Sequence, residues 1–65
     1  MIIVTFDISN QSFDMYTQEE WDRQIQFWRD ELRNELDGVN VDELTEEDIV
    51  EYMYGDELFF ERFDQ

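Results

Sequence analysis

The sequence predicts an α+β fold: an N-terminal β-hairpin packed on one long amphipathic helix, followed by one or two short acidic helices. Three observations carry this expectation. Residues 2–8 are rich in β-branched and aromatic side chains, as a strand is; Trp21, Ile25, Trp28, Leu32 and Leu36 recur at helical spacing; and Thr45 opens a second segment with helix-capping signals. Residues 1–65 are read as a single small acidic domain.

In the first strand Ile2, Val4 and Phe6 share one face, and Ile3, Thr5 and Asp7 the other. Ser9, Asn10 and Gln11 are turn formers, after which Phe13 and Met15 alternate with Ser12, Asp14 and Tyr16, completing a hairpin. Two strands are not stable alone, so the hairpin needs a helix to pack on. Thr17 is a good N-cap, Glu20 completes a capping box, and Tyr16 is placed to close over Trp21 as a hydrophobic staple. A helix over residues 18–37 follows, about 30 Å long, with Gly38 as its left-handed stop. It carries Arg23, Arg29 and Arg33, which are expected to solvate and locally neutralise it through pairs such as Glu19–Arg23 and Arg33–Asp37. Trp21 and Trp28 belong to the core. Phe27 falls about 100° off the apolar stripe and either packs under a neighbouring element or is an exposed anchor for a partner or a second copy.

After a short connector, Thr45 with Asp48 repeats the capping pattern, Leu44 is placed to staple to Ile49, and Gly55 is the expected stop of a helix over residues 46–54. For residues 56–64 a further short helix is favoured, because Asp56 is a possible cap and Phe59 and Phe63 are four apart. The alternative is a hairpin turning at Gly55-Asp56 between residues 50–54 and 57–63.

A 65-residue chain buries only about 60% of the surface that its unfolded form exposes, which leaves little room for a deep substrate cleft. With hydrophobic residues at 42% and aromatics at 17%, it is too apolar to be read as disordered. Folding alone, or as a homodimer that completes the core, is expected. The first residues lack a basic lead and a cleavage-like site, and no apolar run approaches the roughly 20 residues that span a bilayer, so a cytoplasmic protein is expected.

Several chemistries lack their parts. With neither cysteine nor histidine there is no disulfide framework, no usual zinc ligand set and no thiol or hydroxyl nucleophile paired with an imidazole base. A calcium loop fails on spacing: placing Gly38 at its sixth position puts Arg33 at the first and Leu44 at the twelfth. The two glycines are isolated, so no phosphate-binding loop exists. Carboxylate pairs for glycoside cleavage abound, but the cleft between them does not. No catalytic residue, cofactor or metal site is assigned, and the chain is not expected to be an enzyme.

What remains is charge. The net charge is −15, from 19 acids against four arginines and no lysine. Such a balance repels nucleic acids and anionic membranes and attracts basic protein surfaces. Halophilic surfaces are also acidic and lysine-poor, but this chain has no alanine and many bulky apolar residues. The charge concentrates in residues 42–64, where ten carboxylates stand against Arg62 alone. On a path on the order of 25–30 Å, that excess amounts to one net charge per about 3 Å, the same order as the duplex spacing of about 1.7 Å. Glu43, Glu47 and Glu51 are expected to form a ladder at i,i+4 on one helix. Crowding of these acids is expected to make stability rise as pH falls from 7 toward 5.

In size and charge profile the chain resembles acidic anti-defence proteins of phages and mobile elements, the anti-restriction and anti-CRISPR proteins, although no motif assigns it to one family of them. The resemblance implies a DNA-mimic inhibitor that blocks the basic nucleic-acid-binding surface of a partner protein. The alternative is an acidic interaction module, such as an antitoxin or a small regulatory subunit. The expected partner-binding residues are Asp42, Glu43, Glu46, Glu47, Glu51, Tyr52, Tyr54, Asp56, Glu57, Glu61 and Asp64, with Phe27 on the long helix.

Overall fold

The computed structural model describes residues 1–64. Strand β1 (Ile2–Asp7) and strand β2 (Ser12–Thr17) form the expected hairpin, with Ile2 opposite Thr17 and Asp7 opposite Ser12. The four-residue turn between them is held by Asp7, whose carboxylate accepts from the Ser9 hydroxyl (2.7 Å), the Ser9 N–H (3.0 Å) and the Asn10 side-chain amide (3.1 Å). Gln11 closes the turn at φ 52°, a left-handed conformation that few residues other than glycine and asparagine adopt readily.

Helix α1 (Gln18–Glu35) starts at the Thr17 cap with both hydrogen bonds of the capping box in place. It stops two residues earlier than the glycine signal suggests: Leu36 turns extended while its N–H still bonds the Leu32 carbonyl at 2.8 Å, and its side chain packs on the core. Gly38 is left-handed, but in the connector rather than at the helix end. A 3-10 turn (Val41–Glu43) leads to helix α2 (Glu46–Tyr54), capped by Thr45 and Asp48 as expected and ended by Gly55 at φ 65°.

The end of the chain corrects the favoured reading. After a second 3-10 turn (Gly55–Glu57), residues Leu58–Phe63 form strand β3 rather than a helix, antiparallel to β1 in a sheet of order β2-β1-β3. The hairpin alternative is right about the strand in residues 57–63 but not about its partner, because residues 50–54 are helical and β3 pairs with β1. The physical reason is that β1 has two edges. The β2 pairing uses one, and Phe60 opposite Thr5 gives a third strand that adds backbone pairing and apolar contacts together.

Which face of the sheet lies inward follows from the helix entry. Tyr16 immediately precedes the α1 cap and stacks on Trp21 with ring centroids 5.5 Å apart. Tyr16 also lies opposite Ile3, and cross-strand partners share a face. Ile3 and Thr5 are therefore the buried side of β1, joined by Phe60 of β3, whose ring is 5.1 Å from Trp21. The core consists of Ile3, Trp21, Ile25, Trp28 and Leu32 with Val41, Ile49 and Val50, so both helices pack on the same sheet face. Val4 and Phe6 face the other way, as do Phe13, Met15, Phe59, Glu61 and Phe63.

Candidate functional site

Each arginine is tied down by the chain itself. Arg23 pairs with Glu19 at 2.6 Å, as helical spacing predicts. The expected Arg33–Asp37 pair is replaced: Arg33 bonds Asp30 at 2.7 Å and reaches across to Asp42. Arg29 is not a solvating residue of α1. Its guanidinium is partly buried and donates to the backbone carbonyls of Val41 and Leu44, the latter at 3.1 Å, fastening the first 3-10 turn to the long helix. Arg62 pairs with Glu46, clamping the start of α2 to β3.

These contacts divide the expected partner-binding residues. Asp42 and Glu46 are compensated by Arg33 and Arg62, and Glu46 is half-buried. Glu43 sits in the 3-10 turn, separated from α2 by Leu44 and the Thr45 cap, so the three-rung ladder is not formed on one helix. Thr45 begins a new helix there because its side chain accepts from the Asp48 N–H. Glu47 and Glu51 do lie one turn apart on α2, both exposed.

Around Glu51 the surface has two open hollows. One of ≈ 430 Å³ is lined by Asp48, Glu51 and Tyr52. The other, ≈ 310 Å³, includes Glu47, Glu51 and Asp56 in its wall. The fold thus brings Glu47, Glu51, Tyr52 and Asp56 together, with Glu57 next to them in the second 3-10 turn. Tyr54, on the same helix, is partly exposed and sets its ring edge-on to Trp28 at 5.4 Å. Its position is therefore fixed by the core while one side stays open.

Three expected residues lie elsewhere. Phe27 is exposed on α1, beside a hollow formed with Tyr16, Glu20, Arg23 and Gln24, which decides between the two readings of this residue in favour of exposure. Glu61 is on the sheet face turned away from the helices, and Asp64 follows the end of β3.

Two carboxylates titrate away from the ordinary range, both for local reasons. Asp7 is lowered, chiefly by the Ser9 hydroxyl that donates to it. Glu20 is lowered, chiefly by the Thr17 backbone N–H that donates to its carboxylate in the capping box. Among the described residues, no group of three or more acids is arranged to hold a metal ion, and no helix is long and apolar enough to cross a membrane.

Sequence reasoning missed a second surface. The outer sheet face carries Phe13 at 69% exposure, Met15 at 70%, Phe59 at 55% and Phe63 at 47%, around the half-buried Val4 and Phe6. A signal for it was present: Ile2, Val4 and Phe6 make the more apolar face of β1, yet the Tyr16 staple commits the opposite face to the core. Comparison with protein-family models, curated proteins and solved structures finds no match to this chain.

Proposed function

We propose that the protein is an acidic mimic of nucleic acid, which blocks the basic nucleic-acid-binding surface of a partner protein as phage or mobile-element anti-defence proteins do. The observation that carries this reading is charge per length. The protein is 37 Å long in its longest dimension and has a net charge of −15, so it carries one net charge per about 2.5 Å. A nucleic-acid single strand carries one per about 3.4 Å, and a duplex one per about 1.7 Å of axis. The value lies between the two, and no arginine is left free to offset it on the partner side.

The surface best suited to the groove is Glu47, Glu51 and Asp56 with Glu43 and Glu57, displayed by α2 and its two flanking 3-10 turns. Because Arg29, Arg33 and Arg62 fasten residues 41–46 to α1 and β3, the backbone leading into α2 is fixed before binding, and less ordering cost falls on the complex. Action in the cytoplasm, the host's if the protein is phage-encoded, belongs to this proposal.

A second reading, an acidic interaction module such as an antitoxin or a small regulatory subunit, is favoured by Tyr52 and Tyr54. Exposed aromatics beside the acids suit a desolvated protein contact more than a mimic of phosphates. The test is capture of the partner at low salt followed by challenge with DNA or RNA. A mimic is displaced by nucleic acid of comparable length, and a complex indifferent to nucleic acid sinks the mimic reading.

A further inference from the structure

We infer that the outer face of the sheet is the contact surface for a second copy of this chain, making a face-to-face homodimer with the acidic helices on its two outer sides. The face is kept clear of the charge that covers the rest of the molecule. Of its nine outward positions on three strands only Glu61 is charged, whereas charged residues are 35% of the chain, which would place about three there. A basic partner finds little to pair with on such a surface. A second apolar sheet does.

The area is sufficient. Taking about 200 Å² for each large side chain, the exposed parts of Phe13, Met15, Phe59 and Phe63 come to about 500 Å² per copy. That is at the upper end of apolar patches on monomers and about a tenth of the total surface of 4793 Å². Two such faces bury about 1,000 Å², the lower bound for a specific interface, so a weak, concentration-dependent dimer is expected.

Charge also selects the arrangement. Packed sheets lie about 10 Å apart, and the helices sit behind them, so repulsion between the two acidic layers acts over more than the Debye length of about 8 Å at physiological salt. A twofold axis across the strands would stack one Glu61 on the other. An axis along β1 instead lays β3 of one copy over β2 of its partner and sets each Glu61 in the row of Met15. The second arrangement avoids the like-charge contact.

The test is the mass of the full chain by sedimentation equilibrium, from micromolar to millimolar concentration and at low and high salt. The expected result is a shift from 8.1 kDa toward twice that mass, strengthened by salt because the copies repel. Phe13→Glu and Met15→Glu, both at exposed edge-strand positions that the fold tolerates, are each expected to weaken association at least about tenfold with an unchanged circular dichroism spectrum. Glu61→Leu is expected to strengthen it several-fold, and Phe27→Glu to leave it unchanged. A chain that stays at 8.1 kDa up to millimolar concentration in high salt overturns the inference. So does a dimer that survives both glutamate substitutions on β2 or is lost only with Phe27→Glu. The inference does not rest on the mimic reading, since the acidic helices face outward in monomer and dimer alike.

Discussion

Replacing Arg29 by methionine keeps the aliphatic stem and removes the guanidinium, which isolates its two bonds to the Val41 and Leu44 carbonyls. Hydrogen bonds from a charged donor are worth about 1.5–3 kcal/mol each, and a carbonyl left without a partner away from water adds to the loss. Because both carbonyls sit at a partly buried junction and water recovers some of the bonding, a loss of about 2–3 kcal/mol is expected. A chain of this length has a total stability of about 3–10 kcal/mol, so the change is a large fraction of it. At about 4–8 °C per kcal/mol for small domains, Tm falls by about 10–20 °C. The control is Arg23→Met, which breaks a pair whose side chains are 74% and 77% exposed. Such a pair contributes at most about 0.5–1 kcal/mol. Both substitutions make the net charge more negative by one, so general self-repulsion changes equally and cancels in the comparison. Thermal and urea denaturation followed by circular dichroism measure the difference. Equal destabilisation by the two substitutions would refute the reasoning, because of the two arginines only Arg29 fastens the 3-10 turn to α1.

Further outcomes follow from the same structure. Thr45→Ala removes the cap of α2 and is expected to cost about 1 kcal/mol, seen as a lower urea midpoint with an unchanged slope; a neutral result would mean that the cap does not hold the acidic helix. The carboxylates of Asp7 and Glu20 have folded-state pKa values below their unfolded ones, so the stability they supply is complete above the ordinary carboxylate range of about 4 and is lost as pH falls through the lower folded values. Relief of the net negative charge acts in the other direction between pH 7 and 5. Tm should therefore rise over that window and fall below about pH 4, whereas a steady drop from pH 7 to 5 contradicts the charge argument. Glu47→Gln with Glu51→Gln leaves the fold intact, since both side chains are exposed on α2, and should slow association with a basic partner and flatten its salt dependence. An on-rate that ignores both the substitutions and the salt would direct attention to the apolar sheet face instead.

The helices and the hairpin were legible because their signals are local. Thr17 with Glu20, Thr45 with Asp48, and the stripe from Trp21 to Leu32 act within a few residues, and all are found in place. The strand at the end was left undecided against a helix, because a spacing of four, as in Phe59 and Phe63, fits the helical period of 3.6 and twice the strand period of 2 equally well. What decides it is pairing with β1, a partner more than fifty residues away, and no local feature of residues 58–63 announces that contact.

By itself the sequence determined the net charge of −15, the lack of cysteine and histidine, the α+β class and the starts of both helices. The tertiary structure alone decided the division of labour among the charges and faces. Arg29, Arg33 and Arg62 leave their own elements to brace residues 41–46, and Glu47, Glu51 and Asp56 remain among the acids that no arginine compensates. The staple of Tyr16 on Trp21 turns Ile3 inward and leaves Phe13, Met15, Phe59 and Phe63 without cover. The physical reason is one and the same: a capping or periodic signal concerns the chain's neighbours in sequence, whereas compensation of a charge and covering of a sheet face depend on which distant residues the fold brings within reach.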